Sequence, residues 1–128
     1  YDIVMDATDN LHARYLINDA CVKLGKPFVY GSICEFCGQV SVFNYQNGPT
    51  YRDLFEYNDE IENFSQPLGV IGALPGIVGS LQANEAIKII LEKPGVLSGK
   101  LLTIDILNNT YLTFAIRKKE RREESLFK

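Results

Sequence analysis

Asp2-Ile3-Val4-Met5-Asp6-Ala7-Thr8-Asp9-Asn10 carries a short apolar run into three residues that favour turns and helix caps. Ile3 to Ala7 suits a buried parallel strand, and a helix should follow at once. Ala13, Leu16, Ile17, Ala20 and Leu24 fall at i, i+3, i+4, i+7 and i+11, one face of an amphipathic helix, with Gly25 where a C-cap glycine belongs. Lys26-Pro27 then starts the next strand.

Outward from this opening, Phe28 to Ile33 and Gln39 to Tyr45 read as strands, being rich in Val, Tyr, Phe and Ile, with Gly31 and Gly38 marking bends or bulges. Gln46 to Pro67 has no clear periodicity and reads as one long loop, of the kind that is functional or disordered inside compact domains. From Gly69 to Glu92, Val70, Leu74, Ile77, Val78, Leu81, Ile87 and Leu91 keep helical spacing, and Pro75 must open this helix or kink it. Gly72, Gly76, Gly79 and Ala83 form a second, small-residue stripe, where close packing is expected. Leu101 to Leu107 and Tyr111 to Ile116 suit a hairpin turning at Asn108-Asn109-Thr110. The order β-α-β-β-loop-α-β-β predicts an α/β domain with a mixed sheet and two main helices over residues 1–117, followed by a charged terminal segment, 118–128.

The chain has 128 residues, 46% of them hydrophobic, enough for one packed core. It has no apolar run long enough for a membrane helix, and its start lacks the charged and apolar regions of a signal peptide, so no membrane role and a cytoplasmic location are expected. A formal net charge of -3 argues against a nucleic-acid surface. Three cysteines, an odd number, do not make a disulfide framework and fit a reducing compartment. Tyr1-Asp2 leads without an initiator methionine into an apolar run, which reads as the interior of a larger fold.

In open α/β sheets ligands bind beyond the carboxyl ends of the parallel strands, the place that Thr8-Asp9-Asn10 should occupy. A carboxylate there can hold Mg²⁺ against nucleotide phosphates, or Asp9 or Asn10 can simply cap the helix for about 1 kcal/mol. Cys34-Glu35-Phe36-Cys37 invites a zinc or redox reading. In an extended strand, however, side chains three apart point to opposite faces, and no second cysteine pair completes a zinc set. His12 lies in a helix's first turn beside no candidate nucleophile, and Arg14 and Arg52 are candidate phosphate contacts. Gly69 to Gly76 matches neither nucleotide-binding glycine fingerprint.

Residues 2–10 followed by Arg14-Tyr15-Leu16-Ile17-Asn18 resemble the MoeB/ThiF/HesA family. So, in the same order, do Pro27 to Val42 with Gly38-Gln39-Val40, Gly48-Pro49-Thr50-Tyr51-Arg52, Gly79 to Lys88, and Leu97-Ser98-Gly99-Lys100-Leu101-Leu102. The resemblance covers roughly residues 2–117. It implies the C-terminal portion of a Rossmann-like fold and an adenylyltransferase that uses ATP and Mg²⁺ to adenylate the C-terminal glycine of a ubiquitin-like sulfur carrier of the MoaD/ThiS type, in molybdopterin or thiamine biosynthesis. It implies Asp9 as the catalytic, magnesium- and nucleotide-binding residue, Asn10 beside it at the nucleotide, and Arg14 either at the nucleotide or packed beneath it. A homo-oligomer is implied as well.

The sequence departs from the family in two places. Where many members carry a zinc-binding Cys-x-x-Cys after Gly-Pro it reads Thr50-Tyr51-Arg52-Asp53, so zinc is expected to be absent; where relatives often have cysteine four positions before Gly69 it has Ser65. The family's glycine-rich loop would precede Tyr1, so the chain by itself is expected to be an incomplete enzyme. Two other readings are a non-catalytic docking or dimerisation module and half of a nicotinamide-dependent oxidoreductase.

Overall fold

The computed structural model describes residues 2–7, 10–55 and 72–119. A short strand β1 (Val4–Met5) leads into helix α1 (Leu11–Leu24), strands β2 (Phe28–Cys34) and β3 (Cys37–Phe43), a single helical turn α2 (Tyr51–Leu54), helix α3 (Ala73–Ile90) and strands β4 (Lys100–Asp105) and β5 (Thr110–Ala115). The five strands form one mixed sheet in chain order, β1 parallel to β2 and every later pair antiparallel. The expected α/β architecture with two main helices is what the chain adopts. Among the described residues no helix is long and apolar enough to cross a membrane.

β2 is buried on both faces along its first four residues, as befits its place between β1 and β3 and between two helical layers. On one side, Tyr15 and Cys21 of α1 and Tyr51 of α2 pack with Phe28, Tyr30 and Phe43 of the sheet. The rings stack at centroid distances of 4.9 to 5.7 Å for Tyr15–Tyr51, Tyr30–Tyr51 and Phe43–Tyr51. On the other side, Leu74 and Val78 of α3 pack with Val40 and Ile104. Each such buried side chain contributes about 1.5–3 kcal/mol.

The caps fall where the composition put them. Asn10 accepts a hydrogen bond from the Ala13 N–H at 3.1 Å, and Gly25 ends α1 in the left-handed region at φ 69°. Pro75 stands in the first turn of α3 and opens that helix rather than kinking it.

Several expectations are corrected. β1 is shorter than Ile3 to Ala7. The apolar stripe of α1 is not its buried face: Leu16 and Leu24 are exposed, while Arg14, Tyr15, Asn18 and Cys21 face the sheet. These buried polar groups have partners; the Asn18 carboxamide oxygen, for example, accepts from the Tyr51 N–H at 2.9 Å. Ile87 and Leu91 likewise lie outward on or after α3, and Gln82 and Glu85 are buried in their stead.

Residues 46–67 are not wholly loop. Thr50 and Asp53 cap α2, the Asp53 carboxylate accepting from the Thr50 N–H at 2.7 Å and from its hydroxyl at 3.3 Å. A capped helical turn thus occupies Thr50-Tyr51-Arg52-Asp53, the stretch where the sequence departs from the resembled family. Residues 56–67, with Ser65, lie outside the described residues. The small-residue stripe packs on nothing among the described residues, for a methyl group added at Gly72, Gly76 or Gly79 would meet no atom within 4 Å.

The cysteine pair corrects the strand argument directly. The chain turns at Glu35-Phe36 rather than at Gly38, so Cys34 and Cys37 are directly opposed partners of an antiparallel hairpin. Opposed partners project to the same face of the sheet.

Candidate functional site

The carboxyl end of β1 delivers the chain through Asp6 and Ala7 toward the start of α1. Two adjoining cavities open there. The smaller, about 450 Å³, lies against Tyr30, Tyr51, Gln39 and the cysteine hairpin; the larger, about 620 Å³, lies against Asp6, Ala7, Gly31 and Gln82. Leu11, Arg14, Ser32 and Ile33 line both.

Arg14 is the charged centre of this region. Its Nε donates to the Asp6 carboxylate at 2.7 Å, with side-chain exposures of 6% and 0%, and its Nη2 donates to the Gly31 carbonyl at 3.4 Å. The guanidinium also stands 5.3 Å from the centroid of the Tyr30 ring. Burial works against its charge, but Asp6, Tyr30 and Tyr51 outweigh that and hold it above its ordinary value. Burial is also the main cause that pushes the Tyr30 and Tyr51 hydroxyls well up, so both stay neutral hydrogen-bonding groups. The Tyr30 hydroxyl donates to the Gln39 side-chain oxygen at 2.8 Å.

Gln82 ties α3 to the same point. Its amide donates to the Asp6 carbonyl at 2.9 Å and the Val29 carbonyl at 3.3 Å, and it passes so close over Gly31 that any side chain there would collide with it. Gly31 is thus a close-approach glycine rather than a bend. The result is a strand end, a helix start and a crossing helix fixed to one buried ion pair, the arrangement that binds ligands beyond the carboxyl ends of parallel strands.

Of the residues singled out from sequence, Asn10 is found as the exposed N-cap of α1 and Arg14 beneath both cavities. Asp9 and Thr8 lie outside the described residues, in sequence between Ala7, which lines the larger cavity, and Asn10. His12 is exposed in the first turn of α1. Arg52 forms a surface pair with Asp19, two hydrogen bonds of 2.8 Å, and covers the Tyr15 ring at 5.0 Å. Asp6, Tyr30, Tyr51 and Gln82 were not foreseen. Their signal was faint: Gln82 is a polar residue one helical turn after the buried Val78.

The comparisons extend this geometry. The model of the ThiF family matches residues 1–125. The chain is 49% identical over 119 residues to a probable molybdopterin-synthase adenylyltransferase of Pyropia yezoensis, covering 91% of this chain and 32% of that protein. It is 48% identical over 123 residues to the adenylyltransferase and sulfurtransferase MOCS3 of Dictyostelium discoideum, covering 94% of this chain and 29% of that protein. The chain therefore spans about a third of the length of these curated relatives. Among solved structures, Escherichia coli MccB with ATP superimposes with a TM-score of 0.76 at 14% identity, covering 92% of this chain and 37% of that one. At that identity the likeness speaks for the fold.

Proposed function

Because the chain belongs to the ThiF family, we propose that it forms part of an ATP-dependent adenylyltransferase that activates the C-terminal glycine of a ubiquitin-like sulfur carrier. The observation that carries this reading is the cavity pair at the carboxyl end of β1, floored by the Asp6–Arg14 ion pair and flanked by the Asn10-capped start of α1. The similarity to adenylyltransferases of molybdopterin synthesis supports the reaction class and favours a molybdopterin over a thiamine carrier. In this scheme Asp9 would hold Mg²⁺, which when bound would supply neutralisation of the charge that develops as pyrophosphate leaves. Asn10 keeps the helix start in place beside it.

Arg14 acts as a positioning residue. Committed to Asp6 and Gly31, it fixes the strand end relative to the helix without leaving its buried seat. A structural zinc is not part of the proposal, since Thr50 and Asp53 cap a helix where relatives carry thiolates, and the described residues contain no cluster of three or more candidate ligands. A cytoplasmic location is part of it. So is self-association, in line with the glycine face of α3, on which nothing packs among the described residues.

ATP–pyrophosphate exchange with a MoaD-type carrier, measured in the longer protein that carries this sequence, tests the reading. Asp9→Asn should lower exchange by at least about a hundredfold with the fold intact. Exchange near the wild-type rate would refute the role given to Asp9.

A further inference from the structure

Cys34 and Cys37 close the β2–β3 hairpin as a directly opposed pair, separated only by the turn residues Glu35 and Phe36. Opposed residues of an antiparallel pair have Cα atoms about 4.5–5.5 Å apart, inside the roughly 4.4–6.8 Å that a disulfide spans. Their Cβ separation of about 4.5–5.5 Å lies at or just beyond the upper edge of the disulfide range, so bond formation asks for a small closing movement at the tip. Bonds formed under such tension are the readily reduced ones.

The surroundings permit the reaction. Both thiols are free and exposed, and both line the smaller cavity beside Arg14 and Gln39. The strand on the far side holds the hairpin, with Cys37 in register with Asp105 and the Ile106 N–H donating to the Phe36 carbonyl at 3.0 Å. Glu35 turns the chain at φ 55°, in the left-handed region that residues other than glycine adopt uncommonly and chiefly in turns. Cys21, by contrast, is 3% exposed in the aromatic core, where burial pushes its thiol up.

We propose that Cys34 and Cys37 are a redox modification site, a thiol pair that closes reversibly to a disulfide by exchange with a low-molecular-weight disulfide. One cysteine thiolate attacks a sulfur of the small disulfide and expels one small thiolate, leaving a mixed disulfide on the protein. The opposed thiolate then attacks the protein sulfur and expels the second. The two cysteines lose two electrons and two protons, and the small disulfide gains them to become two thiols. This pairing does not depend on the reaction assigned to the neighbouring site.

Oxidised glutathione is the probe. After incubation with the native chain, thiols titratable in denaturant should fall from three to one per chain, with no adduct retained in the intact mass. Peptide mapping should place the bond within the segment 34–37, and dithiothreitol should restore all three thiols. Cys37→Ser should stop at the mixed disulfide and keep one glutathione adduct. Cys21→Ser should leave the reaction unchanged. A wild-type chain that keeps its adducts, forms disulfide-linked dimers, retains all three thiols or requires Cys21 would overturn the proposal.

Discussion

Replacing Asp6 with asparagine keeps the shape of the side chain and removes its charge, which isolates the electrostatic part of the buried pair with Arg14. At 2.7 Å and an effective dielectric of about 20, the direct attraction is about 6 kcal/mol, from which the desolvation of two nearly inaccessible groups must be subtracted. Breaking such a pair leaves one uncompensated buried charge and costs about 3–5 kcal/mol. Against a total stability of about 5–15 kcal/mol for a domain, this is a large share. Arg14→Met removes the cation that faces the Asp6 carboxylate and should cost a similar amount. The double variant removes both charges together, so it should be less destabilised than either single one, by about 2 kcal/mol or more. Urea unfolding followed by circular dichroism reads this as midpoint shifts of about 1 M or more for the singles and a smaller shift for the double. Single-variant losses that simply add in the double would refute the claim that the two charges compensate each other.

Asn44 adopts φ 58° and donates from one amide to the carbonyls of Cys21 and Lys26, both at 3.0 Å, fastening the end of α1 to β3. Asn44→Ala should cost about 2–4 kcal/mol in thermal or urea unfolding, from the loss of the amide donor to two carbonyls and a strained left-handed alanine. Gly31→Ala should displace the Gln82 amide from the Asp6 and Val29 carbonyls, lowering stability by about 1–3 kcal/mol, whereas in a Gln82→Ala background, where those bonds are already absent, the same substitution should cost little more. The hydrogen bonds from Arg52 hold the Asp19 carboxyl below the usual carboxylate range, so the pair stabilises the fold above about pH 4 and the gain disappears as pH falls through the lowered value. Both partners are more than 40% exposed, so Arg52→Gln should cost less than about 1 kcal/mol at pH 7 and less still once Asp19 is protonated, when only the contact with the Tyr15 ring remains, as acid-unfolding curves of the two proteins would show.

Element order apart from the short α2, the two main helices and the β4–β5 hairpin were legible because each rests on local chemistry: Gly25 as a cap, Pro75 in a first turn, the β-rich runs from Phe28 and from Leu101. The buried faces were less legible. Apolar periodicity chose Leu16 and Leu24 on α1, whereas the sheet received Arg14 and Asn18, whose burial is offset by partners 8 and 33 residues away that no local window contains. The same holds for Gln82, which meets Asp6 across 76 residues. The cysteine geometry turned on one residue, since moving the bend from Gly38 to Glu35-Phe36 converts diverging side chains into an opposed pair. Motif resemblance pointed to the carboxyl end of β1, where the two cavities open, yet the ion pair and glutamine that organise that end carried no recognisable spacing.

The sheet runs in chain order, but β3 and β4 are neighbours with residues 44–99 between them. Where that excursion returns, it is tied to β3 by the Leu97 carbonyl accepting from the Val42 N–H at 3.0 Å, and to α3 by the Glu85 carboxylate accepting from the Leu97 N–H at 2.8 Å. The return is therefore fastened independently of the connection's length, and closing it costs only about 0.6 kcal/mol more for each doubling. Anchored this way, the pairing of β3 with β4 keeps its register whatever the length of chain that joins them.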